Sequence, residues 1–204
     1  MKPILNIIAN PFYIMFKRLH WLLYKITNEE IKLLIGAGYT KYKGWFTTNK
    51  LFLDVTVEKH FTQLFSKKKI SYVLAEHVIE HLTTEEIGKM IDNILKYSID
   101  NLNIRIAVPD GFNPDQSYID AVKPGGTGFG SDDHKHLFNY KSLCELFEKH
   151  GLKSQLVEYW NEGSEFYSQY KDDEKGFILR SYKNDPRKEE GNKKYTSLII
   201  DFSK

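Results

Sequence analysis

Four places in this 204-residue chain combine residue types and spacing that could do chemistry. The first is Gly36-Ala37-Gly38 in "LLIGAGYTKYKGWFTTNKLFLD", residues 33–54, where an apolar run gives way to a glycine, a small residue and another glycine. A turn of this kind offers bare backbone to a bound molecule, because glycine has no Cβ and adopts positive φ at little cost. The second is Glu76-His77, which closes the apolar run "ISYVLA", and the third is Pro109-Asp110, which follows "RIAV". The fourth is His134, at the end of the glycine-rich "KPGGTGFGSDDH". That loop reads as a lid or as a close backbone approach to a substrate. A histidine there can take a proton near neutral pH, which makes His134 the candidate general base. Its alternative is a surface ion pair with Asp132 or Asp133.

Two other chemistries are weaker on the same residues. "HVIEH", residues 77–81, spells the inverted zinc motif H-x-x-E-H, which needs both histidines on one continuous helix. The preceding run reads as a strand and Thr83-Thr84 as the start of the next helix, so no metal ligands are assigned. His81 is read instead as a satisfied histidine at the strand–helix junction. His134 and His136 have no third ligand of clear spacing, and the lone Cys144 makes neither a cluster nor an intrachain disulfide. A nicotinamide site would want a glycine where Lys41 stands, although Asp54 falls near the place of its acid.

The elements that must position these groups follow from periodicity. "IKLLIG", "ISYVLAEH" and "NIRIAVPD" are short continuous apolar runs, the pattern of parallel strands buried on both faces. Between the last two, "TTEEIGKMIDNILKYS" has a capping threonine, two glutamates for the positive end of the dipole, and an apolar stripe of Ile87, Ile91, Ile94 and Leu95. "NYKSLCELFEKHGL" repeats the helix signature with Leu143, Leu146 and Phe147 inward and Gly151 as its stop. "KSQLVEYW" and "YTSLIIDFS" read as late strands forming an antiparallel pair. The alternation predicts an α/β sheet with helices on both faces, and ligands at the carboxyl ends of its strands, where Gly36–Gly38, Glu76-His77 and Asp110 all fall.

Composition sets limits on partners. With 29 basic and 27 acidic residues the formal charge is only +2, which argues against a dedicated nucleic-acid binder. The length suits one domain, and the single cysteine suits a reducing cytoplasm. Charge is segregated in residues 1–28, which carry Lys2, Lys17, Arg18 and Lys25 and no acid. Their apolar runs, divided at Asn10-Pro11, are too short to span a bilayer. They read as a basic amphipathic helical segment ahead of a domain at 29–204, with Phe12, Phe16, Leu19, Leu22, Leu23 and Ile26 on its apolar side. That side is expected to meet the inner face of a membrane, a second subunit, or the chain's own domain.

"LLIGAG" with "KGW", "LDVT", "LAEHVIEHLT", "RIAVPDG", "DDHKHLFNYKSLCELFEKHGL", "RSYKNDPR" and "YTSLIID" together resemble the class I S-adenosylmethionine-dependent methyltransferases, over roughly residues 31–203. The nearest group in that resemblance is a small branch associated with glycan and cell-surface biosynthesis. The resemblance implies a Rossmann-like methyltransferase sheet, mostly parallel with a late antiparallel strand, and S-adenosylmethionine as cofactor. It places Gly36, Ala37 and Gly38 at the methionine part of the cofactor and Asn49 where the family has an acid on the ribose. Asp54 falls near the adenine. Glu76 and His77 would face the sulfonium, Asp110 would lie on the acceptor side, and His134 matches a histidine position of the group. The implied reaction is O-methylation of a sugar or small metabolite, free or as a nucleotide sugar or glycan. An amide at Asn49 forfeits the charge-assisted bonds of an acid, and the stretch from Gly38 to Gly44 has no room for a full helix. Both departures favour the rival reading: a fold relative that has lost methyl transfer and serves as a binding or scaffold subunit, or runs unrelated chemistry in the same pocket.

Overall fold

The computed structural model describes residues 11–38, 40–65, 69–187 and 196–204. Its strands are β1 (Ile31–Ile35), β2 (Phe46–Thr47), β3 (Ile70–Glu76), β4 (Ser98–Pro109), β5 (Lys153–Trp160), β6 (Phe166–Ser168) and β7 (Ser197–Ser203). They form one sheet in the order β2-β1-β3-β4-β7-β5-β6. The first four run parallel, and β7 enters antiparallel to both β4 and β5. β6 returns along β5 as an antiparallel edge. The sheet is therefore Rossmann-like, with the antiparallel β5/β7 pair that the sequence leads one to expect. The chain runs outward from β1 to β2 and then back across to β3, so a topological switch point opens between β1 and β3, and a crevice there is the natural ligand site.

The helices are α1 (Pro11–Thr27), α2 (Glu58–Phe65), α3 (Thr84–Lys96), α4 (Gln116–Val122) and α5 (Tyr140–Glu148). Local signals set their ends. Thr83 caps α3 in a reciprocal box with Glu86, and Asn139 does the same for α5 with Ser142. Ile87, Ile91 and Ile94 of α3 and Leu143 and Phe147 of α5 are fully buried, while Leu95 and Leu146 sit at the margin of the core.

Alternate strand residues divide between two apolar clusters. Ile31, Leu33 and Ile35 of β1, Val73 and Ala75 of β3, and Ile104, Ile106 and Val108 of β4 join the larger cluster, which also takes the buried residues of α1, α2, α3 and α5. Leu34, Leu74, Ala107 and Ile199 point the other way, onto Val157, Tyr170, Ile178, Tyr42 and Trp45. Among the described residues, that second cluster draws on no helix. The expectation of helices on both faces is thus corrected: irregular segments around 37–45 and 170–178 cover the opposite face. The physical reason lies in the first crossover, since the residues joining β1 to β2 are too few to build a helix and lie down as a loop instead. A fully buried ion pair belongs to this face, with the Arg105 Nε donating to Asp201 Oδ1 at 2.8 Å while its other nitrogens reach Asp173 and the Gly176 carbonyl.

α1 packs on the domain, but not by the side expected. Trp21 and Tyr24 enter the main cluster, with Trp21 edge-on to Phe46 and Phe65, and the Tyr24 hydroxyl donates to the Gly44 carbonyl at 2.9 Å. Residues on both sides of position 28 therefore share one core. Phe12, Phe16, Leu19, Leu22, Leu23 and Ile26 face outward, each between 51% and 80% exposed. Lys2 lies outside the described residues.

Candidate active site

Two cavities open at the carboxyl ends of β1, β3 and β4. The first, about 450 Å³, is walled by Ile35, Leu53, Val55, Val78 and Leu82, with Gly36, Lys50, Asp54 and Glu86 among its polar borders. The second, about 550 Å³, is lined by Glu80, Tyr118, Phe129, His134, Arg180 and Arg187. His77 and His81 line both.

The first cavity takes its walls mainly from three short stretches at 35–36, 50–55 and 77–82. Gly36 turns with φ +62°, and a Cβ there would overlap the Val78 side chain, so this position requires glycine twice over. Gly38 also has positive φ, +54°, but a Cβ there would meet open space. Ala37 is buried and donates its N–H to the Thr48 carbonyl at 2.9 Å, which ties the turn to the end of β2. Asp54 Oδ1 accepts from both the hydroxyl and the N–H of Thr56, at 2.7 and 3.0 Å. Burial alone would raise this carboxyl, yet the Thr56 bonds, with Lys50 and His60 near, hold it below the ordinary value and keep it charged.

The second cavity is assembled from distant segments. β3 gives way to His77, a non-glycine residue at φ +53° whose N–H donates to the Ala107 carbonyl. Left-handed backbone at such a residue is uncommon and concentrates at functional positions. Its ring lies between the Ser197 hydroxyl, 3.1 Å from Nε2, and Glu80, 3.1 Å from Nδ1. Glu80 and His81 follow on a single 3-10 turn, Ile79–His81. Lys135 and His136 donate their N–H groups to the Glu80 carbonyl, and the Lys135 ammonium reaches the His81 carbonyl at 2.7 Å, so the glycine-rich loop is fastened to this turn. That brings His134 against His81, ring centroids 4.7 Å apart. The loop packs tightly on α4: a Cβ on Gly126 or Gly128 would press into backbone carbonyls of residues 120–123, so these two glycines serve close approach.

His134 Nδ1 lies 2.7 Å from the Val122 carbonyl. A carbonyl only accepts, so Nδ1 carries the proton and the lone pair of the neutral ring sits on Nε2. Neither Asp132 nor Asp133 takes this ring; Asp133 lies 3.5 Å from His81 instead.

The remaining residues singled out from the sequence sit elsewhere. Asp110 is fully buried, and its two oxygens accept from the N–H groups of Phe112 and Trp160 at 3.0 and 2.8 Å. Burial pushes its carboxyl up to about 6 against the opposing pull of those two bonds. It fastens the end of β4 to the end of β5 and, fully buried, borders neither cavity, so it is not the acceptor-side group expected. Glu76 is likewise engaged: Oε1 accepts from the Arg180 N–H at 2.7 Å and Oε2 faces the Tyr42 hydroxyl at 3.4 Å, pinning the covering loops rather than bordering either cavity. The Asn49 amide donates to the Tyr13 hydroxyl of α1 at 2.8 Å and its oxygen accepts from the Phe52 N–H, so it closes a turn and holds α1 where a ribose contact was expected. His81 is not the satisfied junction residue expected, because its buried Nδ1 makes no hydrogen bond. Glu80, Tyr118 and Arg180 were missed. The spelling "HVIEH" contained Glu80, but only the fold shows that it is buried and faces a cavity.

No family model and no curated protein sequence matches this chain. Solved structures resemble it at low identity. A SAM-dependent methyltransferase from Archaeoglobus fulgidus aligns over 94% of this chain and 98% of its own, at 15% identity and a TM-score of 0.47. A structure assigned as an O-methyltransferase from Nostoc punctiforme aligns over 96% of this chain at 13% identity and a TM-score of 0.44, and LepI in complex with SAM over 93% at 10% and 0.46. The chain spans only 59% and 40% of the length of those last two. These likenesses concern general architecture only.

Proposed function

We propose that the chain binds S-adenosylmethionine in the first cavity and transfers its methyl group to a hydroxyl held in the second. The observation that carries this reading is that the two cavities meet at His77 and His81, beside the switch point between β1 and β3. A donor in one and an acceptor in the other would face each other across a single wall of side chains.

The residues present fit the cofactor. Bound there, S-adenosylmethionine supplies an electrophilic methyl carbon on a sulfonium sulfur. Leu53, Val55, Val78 and Leu82 give an adenine its apolar walls, the charged Asp54 can accept from an amine or a ribose hydroxyl, and Gly36 leaves its backbone open. On the acceptor side, Arg180 suits an anionic group, beside an Arg187 held by Asp185 at 2.6 Å, and Phe129, 99% exposed at the rim, offers a flat face to a sugar ring. Such a lining favours a sugar or related small metabolite carrying phosphate or carboxylate, as a nucleotide sugar or a glycan precursor in surface-glycan synthesis does. His134 activates the acceptor hydroxyl through its Nε2 lone pair. The test is methyl transfer from S-adenosylmethionine to a panel of nucleotide sugars, followed by mass spectrometry. A product 14 mass units heavier is expected, and its absence across acceptors that bind would refute transfer.

A second reading is favoured by Asn49, whose hydrogen bonds serve α1 rather than a ligand. In it the fold has lost methyl transfer and acts as a binding subunit or on a sugar-type ligand by other chemistry. Nucleotide sugars would then bind while S-adenosylmethionine does not.

A further inference from the structure

The geometry points to a divalent metal site formed by Glu80, His81 and His134. One ligand atom from each residue lies within 4.8 Å of the other two. Ligands about 2.1 Å from one ion are at most about 4.2 Å apart, so closure around a cation asks only for small rotamer adjustments. The decisive observation is Glu80: its side chain is wholly buried, and neither oxygen makes a hydrogen bond. His77 touches one of them at 3.1 Å, off the line of a hydrogen bond, and leaves the other bare. A wholly buried carboxylate that meets only the edge of one imidazole is poorly compensated, and a cation between it and the two histidines would remove that cost. His134 is already prepared as a ligand. Its Nδ1–H is fixed on a backbone carbonyl and its Nε2 is presented as a lone pair, an arrangement usual for metal-bound histidine. Two imidazoles and one carboxylate suit a first-row divalent ion such as zinc, cobalt or manganese better than calcium, which prefers oxygens only. Two nitrogens and one carboxylate oxygen leave coordination positions open, and all three residues line the second cavity.

One consequence rests on the methyl-transfer reading. An acceptor hydroxyl coordinated there would lose its proton to water more readily, and the oxygen would attack the methyl carbon as the C–S electron pair passes to sulfur, giving a neutral thioether. His134 would then activate the hydroxyl as a ligand of the ion.

Binding is measured without the cofactor, so that failure of one reading does not mask the other. Full-length protein freed of metal with a chelator is titrated with cobalt(II), by calorimetry and by visible absorption. One equivalent is expected to bind, with the bands of a nitrogen-coordinated ion, and zinc should displace it. His134→Ala and Glu80→Gln should each weaken the affinity at least tenfold, whereas His150→Ala, just past α5 and paired with Asp92, should not. No saturable binding to the intact chain, or binding unchanged in both cluster variants, overturns the site. If His134→Ala fails to fold by circular dichroism, His81→Gln takes its place, and the titration of the intact chain remains decisive by itself.

A different observation carries a second inference. We infer that the outer face of α1 lies on an anionic lipid surface. At 3.6 residues per turn the exposed apolar stripe covers about 120° of the helix, centred about 170° from the face formed by Trp21 and Tyr24. No helix among the described residues is long and apolar enough to cross a membrane, so this one would lie in the interface. Charge selects lipid over a second copy. Arg18 and Lys25 border the stripe beside Leu22, whereas Lys17 lies on the packed face, where its ammonium donates to the Thr47 hydroxyl and sits over the Phe46 ring. Residues 1–28 hold no acid, so a second copy of α1 would bring no carboxylate to Arg18 and Lys25 at the edge of the stripe, whereas an anionic lipid surface would bring phosphate to both.

The test is co-sedimentation of the full chain with phosphatidylcholine vesicles, with and without one-third phosphatidylglycerol. Binding is expected only to the mixed vesicles, released by high salt, and reduced at least tenfold by Leu19→Glu with Leu23→Glu, since each charge must leave the apolar boundary. Equal binding to both vesicle types, no binding at all, or a dimer in solution that the double variant dissolves would each overturn it.

Discussion

The two cavities that share His77 and His81 are made in different ways. The first takes its walls from three short stretches, 35–36, 50–55 and 77–82, plus Glu86 and the loop around 133–135. The second gathers β3, the end of β4, α4, the glycine-rich loop and the segment around 180–187. A site of the first kind depends on backbone turns. A site of the second kind depends on tertiary fastening, here the bonds from Lys135 to the 79–81 turn and from His134 to the end of α4. Substitutions should therefore separate cleanly into those that alter donor binding and those that alter acceptor chemistry.

The largest separation is expected at His134. His134→Ala should lower turnover by roughly 10²- to 10⁴-fold while affinity for S-adenosylmethionine barely changes. Single-turnover kinetics beside a calorimetric titration checks both halves, and a large loss of cofactor affinity would show the two cavities to be one. Asp54→Asn reverses the pattern. Losing a charged acceptor costs about 1.5–3 kcal/mol, or roughly 10- to 100-fold in cofactor affinity, with acceptor affinity intact.

These contrasts explain what could be read from the sequence. Strands β1, β3 and β4 were legible because each is a continuous apolar run buried on both faces, and α3 because its capping box and stripe are local. β7 was legible for the same reason, whereas β5 mixes polar with apolar residues and only Val157 and Glu158 of it are buried. The face of the sheet without helices was not, since loops can cover apolar residues as well as helices can, and periodicity cannot distinguish the two covers. In the site, Gly36 was legible from glycine chemistry. Asp110 misled because a strand-end acid looks the same whether it meets solvent or two buried N–H groups, and only the approach of Trp160 decides. Glu80 went unassigned because its burial and its nearness to His134 arise from contacts more than fifty residues apart in sequence.

Smaller effects sharpen the contrast further. Gly36→Ala combines left-handed backbone with a clash on Val78 and should destabilise by about 1–3 kcal/mol, whereas Gly38→Ala, with open space, should cost about 1 kcal/mol. Chemical denaturation of both variants checks the order. Stability should also depend on pH through two buried carboxyls outside the proposed metal site. Burial raises Asp110 to about 6 and Glu158 to about 7. Both folded values lie above those of an unfolded chain, so the folded state holds extra protons; the contribution of these two groups to stability is full below about pH 4, declines as pH rises through about 6 to about 7.5, and levels off above. A melting temperature that rises over this interval would contradict that sign. The smallest effect is expected at Asn49→Asp. With its side chain held by Tyr13 and Phe52, cofactor affinity should stay within about twofold. A clear gain would place a ribose there after all and move the donor cavity toward α1.

The most direct measurement of the central claim is binding of S-adenosylmethionine and its demethylated product to the full chain. At a hundredfold excess over its dissociation constant a ligand stabilises by about 2.7 kcal/mol, which for a domain of this size raises the melting temperature by roughly 5 to 10 °C. That shift is expected with either compound, together with one-to-one heat in calorimetry, and Asp54→Asn should reduce it. An unchanged melting curve with no heat from either compound would contradict a donor site in the first cavity and leave the fold as a binding subunit or an enzyme of other chemistry.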